Sequence, residues 1–364
     1  MKTITLSLQG SQSLSYDIRV GYGIGERISV MLAELGIARR YVVITDTNVA
    51  DLYGRRLIED LRRDGLSAGI IAFPAGEASK NIGTALEVVR QLLETGADRK
   101  TALLALGGGV VGDVTGFVAS LYMRSLPYLQ IPTSLVAQVD SSIGGKTAID
   151  LAAGKNLLGT FYQPRAVLTD PLFLETLPAE EFRNGLAEVV KYGLIDPGEL
   201  FALLEAEMTA LKQLDREVLI RVIAKCCEIK KGLVEIDERD QGPRHLLNFG
   251  HTLGHALEAA SDYRLTHGRG VSLGMMAALR LSEQIGGLSG QDRERGEQLI
   301  ERTGLPTAIP PEISTELILS KLTADKKKSG TTINFVLVRK IGEPFVTGEV
   351  QEGLLRETIE GLKG

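Results

Sequence analysis

The four histidines of this 364-residue chain lie close together, at His245, His251, His255 and His267. Imidazole is the commonest side-chain metal ligand, and its charge changes nearest neutral pH. Structural histidines would be scattered along the chain, so the clustering predicts a metal site or a proton-transfer site. The alternative is a short helix whose histidines only cap and pack.

His251 and His255 have the spacing of neighbours on one helical face, in the sequence His-Thr-Leu-Gly-His. A zinc protease needs Glu where this chain has Thr252, so that class is excluded. Gly254 leaves room for a ligand or a neighbouring helix. His267 lies in a predicted loop that can bring a third imidazole to the same place. A catalytic zinc usually takes three protein ligands.

A carboxylate is a suitable third ligand, and Glu188 is the leading candidate. It lies in the predicted helix 181–195, with Lys191 one turn later on the same face. The alternative is an ordinary i,i+3 surface ion pair. Lys230 falls in the apolar stripe of a predicted helix over 215–235. There it either extends its ammonium group to solvent or lines a site with an anionic partner.

Residues 107–113 read Gly-Gly-Gly-Val-Val-Gly-Asp and follow an apolar run. Gly107, Gly109 and Gly112 have the spacing that lets a backbone approach a pyrophosphate at a helix N-terminus. A structural glycine turn is the alternative. No acidic residue ends a strand about 20 residues later, as a standard dinucleotide unit requires. Asp46 and Asn48, which close an earlier strand, are better ribose candidates, so the sequence predicts a dinucleotide site of non-standard topology.

Two short segments combine glycines with lysines. Residues 140–147 read Asp-Ser-Ser-Ile-Gly-Gly-Lys-Thr, but a P-loop needs Gly where Asp140 stands, which excludes a nucleoside triphosphatase. The Gly-Gly amides with Lys146 still suit a phosphate monoester. Residues 154–156, Gly-Lys-Asn, form a second such turn. The alternative for each segment is a solvated surface loop.

The elements that must position these groups divide the chain in two. Alternating residues over 4–8 and 14–20 predict a β-hairpin. Strand-like and helical runs then alternate, which predicts an α/β domain with a largely parallel sheet over 1–177. Long helical periodicities predict a mainly helical domain over 178–364, with a late strand and a final helix near 351–362. The five strand-like runs of the first domain are 41–45, 68–73, 101–106, 128–131 and 166–169.

Composition excludes several classes of protein. The net charge is -5 with both signs interspersed, so neither nucleic acid nor a membrane surface is expected as a partner. The two cysteines, Cys226 and Cys227, are adjacent, which excludes a disulfide framework and a zinc finger. No signal peptide or membrane-spanning run is found in the sequence. A reducing, cytoplasmic setting is expected.

Together these features resemble the 3-dehydroquinate synthases of the sugar phosphate cyclase superfamily, which catalyse the second step of the shikimate pathway. The resemblance covers almost the whole chain. It implies a Rossmann-like but non-standard NAD-binding domain, a mainly helical metal-binding domain and a homodimer. Its most specific blocks are 107–113, 132–134, 139–146, 154–156, 188–193, 246–255 and 267–268.

The resemblance also implies roles for individual residues. The zinc or cobalt ligands would be Glu188, His251 and His267. The NAD+ contacts would be Asp46, Asn48, Glu77, Lys80, Gly108, Gly109, Val110, Val111, Gly112, Asp113, Thr133, Ser134, Lys146, Lys155, Phe173 and Thr176. The substrate and catalytic set would be Arg124, Asp140, Lys146, Asn156, Lys191, Lys230, Arg244, Asn248, His255 and Lys326, with Lys327 as the alternative to Lys326.

Three positions depart from the family's usual residues. Ser134 replaces a threonine and keeps the hydroxyl. Ser125 replaces a glycine after Arg124. Arg269 replaces a glutamate after His267-Gly268, so an acid behind the metal ligand is in doubt and a positive charge is expected near the metal.

The implied reaction converts 3-deoxy-D-arabino-heptulosonate 7-phosphate (DAHP) to 3-dehydroquinate and phosphate. It proceeds by transient oxidation with NAD+, elimination of phosphate, re-reduction, ring opening and intramolecular aldol closure. The substrate carries a carboxylate, which Arg244, Asn248 and Lys230 would meet. The alternatives are another sugar phosphate cyclase, a metal-dependent polyol dehydrogenase of similar fold, and a non-catalytic, metal-stabilised binding protein.

Overall fold

The structure is a computed structural model that describes residues 1–8, 15–329 and 333–364, without the side chains of 324–329. The described strands are β1 Lys2–Leu6, β2 Tyr16–Val20, β3 Arg40–Asp46, β4 Ser67–Phe73, β5 Thr101–Gly107, β6 Tyr128–Pro132, β7 Lys146–Leu151, β8 Gly154–Phe161, β9 Ala166–Thr169, β10 Phe335–Val338 and β11 Pro344–Thr347. The α-helices are α1 Ile28–Leu35, α2 Thr47–Val49, α3 Arg55–Arg63, α4 Ile82–Glu94, α5 Gly109–Leu121, α6 Ala179–Ile195, α7 Leu200–Lys212, α8 Arg216–Ile236, α9 His251–Ala260, α10 His267–Leu281, α11 Gly290–Thr303, α12 Thr315–Ser329 and α13 Glu352–Glu360.

The chain folds into two compact units. The first is Met1–Leu177 with Leu219–Arg239, and the second is Pro178–Val218 with Asp240–Gly364. The expectation that all of 178–364 belongs to the second domain is therefore wrong for most of α8. Cys227 of α8 lies with its Sγ 3.4 Å from the carbonyl oxygen of Gln138, which is in the first unit. A helical pattern shows which face is apolar but not which core that face joins.

A mostly parallel sheet forms the centre of the first unit. Among the described residues its strand order is β1-β2-β9-β6-β5-β3-β4. The strands pair in parallel except β1 with β2, which are antiparallel as the alternating pattern predicts. The five strands predicted between 41 and 169 are present as β3, β4, β5, β6 and β9. The α/β fold class of this part of the chain is confirmed.

Helices cover both faces of this sheet. Val42 and Ile44 of β3 pack into a core with α4 and α5. Tyr41 and Val43, which point the other way, pack into a second core with α1 and α3. Strands that are buried on both faces have continuous apolar sequences rather than alternating ones, and this is why β5 is apolar from Ala102 to Leu106.

The strand order places the glycine loop at a crevice of the sheet. β4 lies on one side of β3 and β5 on the other, so the winding direction reverses between β3 and β5. Open α/β sheets bind ligands outside the carboxyl ends of the strands at such a switch point. Asp46 ends β3 and Gly107 ends β5, while Thr133 and Phe173 follow β6 and β9 at the same edge.

The strands β7 and β8 form a separate, smaller antiparallel sheet. The interpretation of 140–147 and 154–156 as two loops is corrected by this pairing. Lys146 begins β7 and Gly154 begins β8, and the two strands pair from Lys146–Phe161 to Leu151–Gly154. The hairpin is irregular, because Asn156 has a φ of 56° and the register shifts between Ile149 and Leu151. Because the hairpin is irregular, its sequence shows little of the regular apolar–polar alternation by which a strand is predicted.

The second unit is mainly helical, as predicted. It contains α6, α7 and α9 to α13, with β10 and β11 as a short antiparallel pair. β10 is the predicted late strand, whereas β11 is not expected from the sequence. No helix in the described ranges combines the length and the apolar character needed to span a membrane.

Candidate active site

Glu188 and Lys191 form an ion pair inside the second unit. Their side chains are 0% and 1% exposed, and the Glu188 carboxylate contacts the Lys191 ammonium group. The interpretation as an ordinary surface pair is therefore wrong. Burial alone would raise the pKa of Glu188, but Lys191 and His251 hold it well below its usual range. The carboxylate is thus in the ionised form that a metal requires.

Two histidines converge on the same carboxylate oxygen. His251 Nε2 lies 3.3 Å from Glu188 Oε1, and His267 Nε2 lies 3.1 Å from it. One donor atom from each of the three residues lies within 4.8 Å of the others. Two ligand atoms bound at about 2.1 Å to a tetrahedral zinc ion lie roughly 3.4 Å apart. The two-histidine, one-glutamate set therefore fits a divalent metal such as zinc.

Close contact between α9 and α10 places these histidines side by side. His251 is the first residue of α9, and His267 is the first residue of α10 rather than part of a loop, as expected from the sequence. A Cβ atom on Gly254 would lie 2.9 Å from the carbonyl oxygen of Gly270. The space beside Gly254 is therefore filled by the neighbouring helix, one of the two occupants that the sequence left open.

The start of α10 also contacts one face of α6. Residues four apart on α6 share a helical face, and three of them each contact one residue around the start of α10. The pairs are Glu180 with Arg269 (2.8 Å), Asn184 with Thr266 (2.6 Å) and Glu188 with His267 (3.1 Å).

Hydrogen bonds behind the rings orient both histidines. His251 Nδ1 lies 3.1 Å from the carbonyl oxygen of Phe249, and His267 Nδ1 lies 2.9 Å from Glu258 Oε1. When both Nδ1 atoms donate, both Nε2 atoms are left facing Glu188. The sequence reasoning missed Glu258. Its position three residues after His255 on the same helical face was the available signal.

The other two histidines have different surroundings. The His255 ring lies 5.3 Å from that of His251 and 5.8 Å from that of His267, measured between centroids. It is outside the donor group that contains Glu188. His245 is exposed, with Nδ1 3.8 Å from an oxygen of Asp240, and it belongs to no metal-donor group among the described residues.

A short 3-10 turn, Pro243–Asn248, precedes α9. It carries two residues of the expected substrate set. Arg244 is 2% exposed, whereas Asn248 is exposed. The turn thus presents a buried guanidinium group and an exposed amide just before the metal-donor histidine His251.

In the first unit, the glycine loop runs directly into a helix. Gly108 is the N-cap of α5, which begins at Gly109. A Cβ atom at Gly108 would lie 3.3 Å from Ser134 Oγ, and one at Gly109 would lie 3.2 Å from Ser141 Oγ. Both glycines are partly exposed. The first amides of α5 therefore remain open to an anion, which fits a dinucleotide pyrophosphate.

Asp46 has a structural role at the neighbouring strand end. One of its carboxylate oxygens accepts hydrogen bonds from the backbone amides of Asn48 and Val49, at 2.9 and 3.0 Å. It therefore caps α2. At the same edge of the sheet, the Phe173 ring meets that of Tyr53 at 4.7 Å between centroids, and the Tyr53 hydroxyl contacts Thr176.

Lys80 joins residues of the expected cofactor and substrate sets. Its Nζ lies 2.5 Å from Asp113 Oδ2 and 2.6 Å from Asn156 Oδ1. Burial raises the pKa of Asp113 to about 6, although the Lys80 ammonium group opposes that rise. Lys155 is more exposed and lies 3.7 Å from Glu77.

Other charged and polar groups of the first unit also contact partners in the same unit. Lys230, from α8, pairs with Asp140, so its inward position is explained by an anionic partner. Lys146 is exposed. The amide of Gly144 donates to the Tyr16 hydroxyl at 3.1 Å, which removes one of the two amides expected to cradle a phosphate. Lys326 and Lys327 lie outside the described side chains.

Comparison with known proteins identifies the family. Residues 70–184 match the family model for the 3-dehydroquinate synthase N-terminal domain, and residues 185–328 match that for the C-terminal domain. A 3-dehydroquinate synthase of Pelobacter propionicus is 43% identical over 364 residues, which is 100% of both chains. The chain belongs to the 3-dehydroquinate synthase family.

Two solved structures of related enzymes have the same fold. A 2-epi-5-epi-valiolone synthase from Streptomyces hygroscopicus subsp. jinggangensis 5008, with NAD+ and Zn2+ bound, is 29% identical, with a TM-score of 0.89 over 98% of each chain. A 2-deoxy-scyllo-inosose synthase complexed with carbaglucose-6-phosphate, NAD+ and Co2+ is 25% identical, with a TM-score of 0.86 over 99% of this chain and 100% of that one.

Two departures from the residues usual in 3-dehydroquinate synthases have structural consequences. Arg269 is paired with Glu180, so its charge is balanced, while Glu258 supplies an acid behind His267. Ser125 has a φ of 90° and a ψ of 131°, a combination that favours glycine. It follows Met123 and Arg124, which also have positive φ.

Proposed function

We propose that this chain is a 3-dehydroquinate synthase that converts DAHP to 3-dehydroquinate and inorganic phosphate, with NAD+ and a divalent metal as cofactors. The observation that carries the proposal is the Glu188–His251–His267 donor set, in which the carboxylate is fully buried. It occurs in a chain that matches the family over its full length at 43% identity.

Glu188, His251 and His267 would hold Zn2+ or Co2+, the metals bound in the two related structures. When bound, the metal polarises substrate oxygens as a Lewis acid. Lys191 keeps the Glu188 carboxylate ionised by its buried charge. With only three protein ligands, such a metal would be accessible to substrate.

NAD+ would bind at the carboxyl edge of the first unit's sheet, where it would supply transient oxidation of the substrate. The first amides of α5 would bind its pyrophosphate, with Thr133 and Ser134 beside the loop. We assign the remaining contacts to Asp46, Asn48, Glu77, Lys80, the residues 108–113, Lys146, Lys155, Phe173 and Thr176.

The residues expected to bind substrate are grouped by the part of the substrate that they suit. Arg124, Lys146 and Asn156 suit a phosphate dianion. Arg244 and Asn248 suit a carboxylate, for which the planar guanidinium fork is well matched. Lys230 would add positive charge for that carboxylate. Asp140, Lys191 and His255 would position hydroxyl groups, and Lys326 would add a further cationic contact.

We also propose that the chain acts as a homodimer in the cytoplasm. Three large apolar side chains of β8 support an association surface, because Leu157, Leu158 and Phe161 are 55%, 40% and 36% exposed. Sedimentation equilibrium of the purified protein tests the dimer. A monomer at all concentrations would contradict it.

The decisive experiment supplies DAHP with a catalytic amount of NAD+ and identifies the product. Phosphate should be released without net accumulation of NADH, and the product should be 3-dehydroquinate. Stoichiometric NADH would indicate a polyol dehydrogenase. Turnover only of a sugar phosphate without a carboxylate would indicate another cyclase, and metal-dependent binding without turnover would indicate a binding protein.

Arg244→Ala tests the carboxylate assignment. Loss of an arginine–carboxylate pair in a partly dry site costs roughly 2–4 kcal/mol, so kcat/KM for DAHP should fall by on the order of 10- to 1000-fold. His245, the exposed neighbour of Arg244 in the same turn, provides the control, because His245→Ala should leave kcat/KM for DAHP unchanged. Unaltered DAHP kinetics in Arg244→Ala would show that the dehydroquinate assignment is wrong.

A further inference from the structure

We propose that Glu258 is a positioning residue of the metal centre. By accepting the Nδ1–H of His267, it fixes that ring so that Nε2 faces Glu188. The inference rests on the proposed function only in that the centre binds a metal. It adds a residue that stands on a different helix from His267 and Glu188.

The burial of Glu258 is the first step of the argument. Glu258 is 3% exposed on α9, and a buried carboxylate requires polar partners. One of them is His267, whose Nδ1 lies 2.9 Å from Glu258 Oε1. A neutral imidazole that donates from Nδ1 presents Nε2 as its lone-pair atom, which is the form that binds metal.

The fixed position of the Glu258 side chain is the second step. A Cβ atom on Gly270 would lie 3.0 Å from Glu258 Cγ and 3.3 Å from its Oε1. The side chain therefore lies against the α10 backbone in space that only glycine leaves free. This packing holds the Glu258 carboxylate in place, one helical turn from His267. A carboxylate fixed in this way can orient the His267 ring.

A competing role is also visible in the geometry. Glu258, His255 and His267 form a second group of donors within 4.8 Å of one another, so Glu258 could instead be a metal ligand. The distances favour the positioning role, because His267 directs Nε2 to Glu188 at 3.1 Å and Nδ1 to Glu258 at 2.9 Å.

The test measures Zn2+ affinity of the full-length protein by competition with a chromophoric chelator, without NAD+ or substrate. Glu258→Ala should weaken zinc binding about 10- to 100-fold, the usual effect of removing an orienting partner. Glu258→Gln should weaken it less, because an amide oxygen still accepts the hydrogen bond. Arg269→Ala, which alters a partly exposed residue of the same α10 turn, is the control and should bind zinc like the wild type.

The visible spectrum of the Co2+-loaded protein separates positioning from ligation. If Glu258 orients His267, Glu258→Gln should keep the wild-type band pattern at saturating Co2+. A changed pattern together with zinc loss as complete as in Glu188→Ala would make Glu258 a ligand and overturn the proposal. Wild-type zinc affinity in Glu258→Gln and Glu258→Ala would overturn it as well.

Melting in excess chelator shows whether the metal-free variants keep the wild-type fold. If Glu258→Ala fails to fold, Glu258→Gln carries the test alone, and wild-type affinity in it overturns the proposal. Failure of the wild type to bind zinc would contradict the proposed function itself. Failure of Glu258 substitutions to affect zinc would contradict only the positioning role.

Discussion

The metal centre of the second unit and the glycine-loop region of the first unit arrange their charges differently. In the metal centre, two histidines and Lys191 all converge on one buried acid, Glu188. In the glycine-loop region, Lys80 is already bonded to Asp113 and Asn156. The metal centre therefore presents ligand atoms to a metal cation. In the glycine-loop region, the Lys80 ammonium group is instead paired with groups of the same unit.

The two regions also differ in what holds their backbone. Helix contacts at Gly254 and Gly270 fix the histidines of the metal centre. The segments of the first unit that we propose to bind anions include the residues with positive φ at Arg124, Ser125 and Asn156. We infer that the metal site is formed by packing of regular helices, whereas the anion sites depend on strained turns and internal ion pairs.

The largest expected effect comes from removing the acid on which the metal centre converges. Glu188→Ala deletes a ligand and leaves Lys191 buried without this anionic partner. Bound zinc should be lost, and turnover should fall on the order of 1000-fold or more, since Lewis-acid stabilisation supplies several kcal/mol. Elemental analysis and phosphate release measure the two effects.

Glu180→Ala is the matched control, because Glu180 lies on the same face of α6 but is 54% exposed. It should keep the metal. Full zinc binding by Glu188→Ala would show that the metal centre does not depend on this acid.

The corresponding change in the first unit is Lys80→Met, which leaves Asp113 without its ammonium partner. Breaking a buried pair costs roughly 3–5 kcal/mol, and NAD+ binding should weaken. Burial already holds the pKa of Asp113 at about 6, and loss of Lys80 raises it further. Since a raised carboxyl pKa gives stability that is lost as pH rises, the destabilisation should be larger at pH 8 than at pH 5.

Urea unfolding at the two pH values and NAD+ titration measure these effects. Lys155→Met is the control for stability alone, because Lys155 is 36% exposed and 3.7 Å from Glu77, and it should change the free energy of unfolding by less than about 1 kcal/mol. Equal effects of the two substitutions on stability would mean that the Lys80 pair is no more important than a surface contact.

A substitution in the helix contact tests how the metal centre is held. Gly254→Ala places a methyl group 2.9 Å from the Gly270 carbonyl oxygen. We expect a destabilisation of about 1–3 kcal/mol and weaker zinc binding, because the first residues of α9 and α10 move apart. Chelator competition and denaturant unfolding measure both.

The control is Gly232→Ala in α8, where an added Cβ has no neighbour within 4 Å. Alanine there should stabilise the helix by roughly 0.5–1 kcal/mol. If Gly254→Ala also stabilised the protein and kept its zinc affinity, close helix contact would not be what places the histidines.

The smallest expected effect concerns strain in the first unit. Ser125→Gly removes the Cβ atom at a φ of 90°. Relief of about 1–3 kcal/mol of strain, offset by the flexibility of glycine, should leave a net stabilisation of about 1 kcal/mol. Ser125→Ala keeps the Cβ atom and should give none. Identical unfolding midpoints for the two variants would show that this turn stores no strain.

The sequence alone determined the chemistry of the site and the fold class. The crowded histidines predicted a metal or proton-transfer site. Glu188 was the leading candidate for its acid by residue type, and the family resemblance implied that it is a ligand. The glycine run after an apolar strand predicted the dinucleotide loop, because a short segment contains both the strand and the turn. These are local patterns, and they survive in the structure.

Tertiary structure decided what the charged residues touch. Sequence spacing allowed Glu188 and Lys191 to be a surface pair, and only the packing of α6 among other helices made the pair buried. Spacing likewise did not show that Gly144 gives its amide to Tyr16, or that most of α8 belongs to the first unit. Glu258 meets His267 because two helices cross at glycines. Each of these facts depends on contacts between residues distant in sequence, and local periodicity does not encode such contacts.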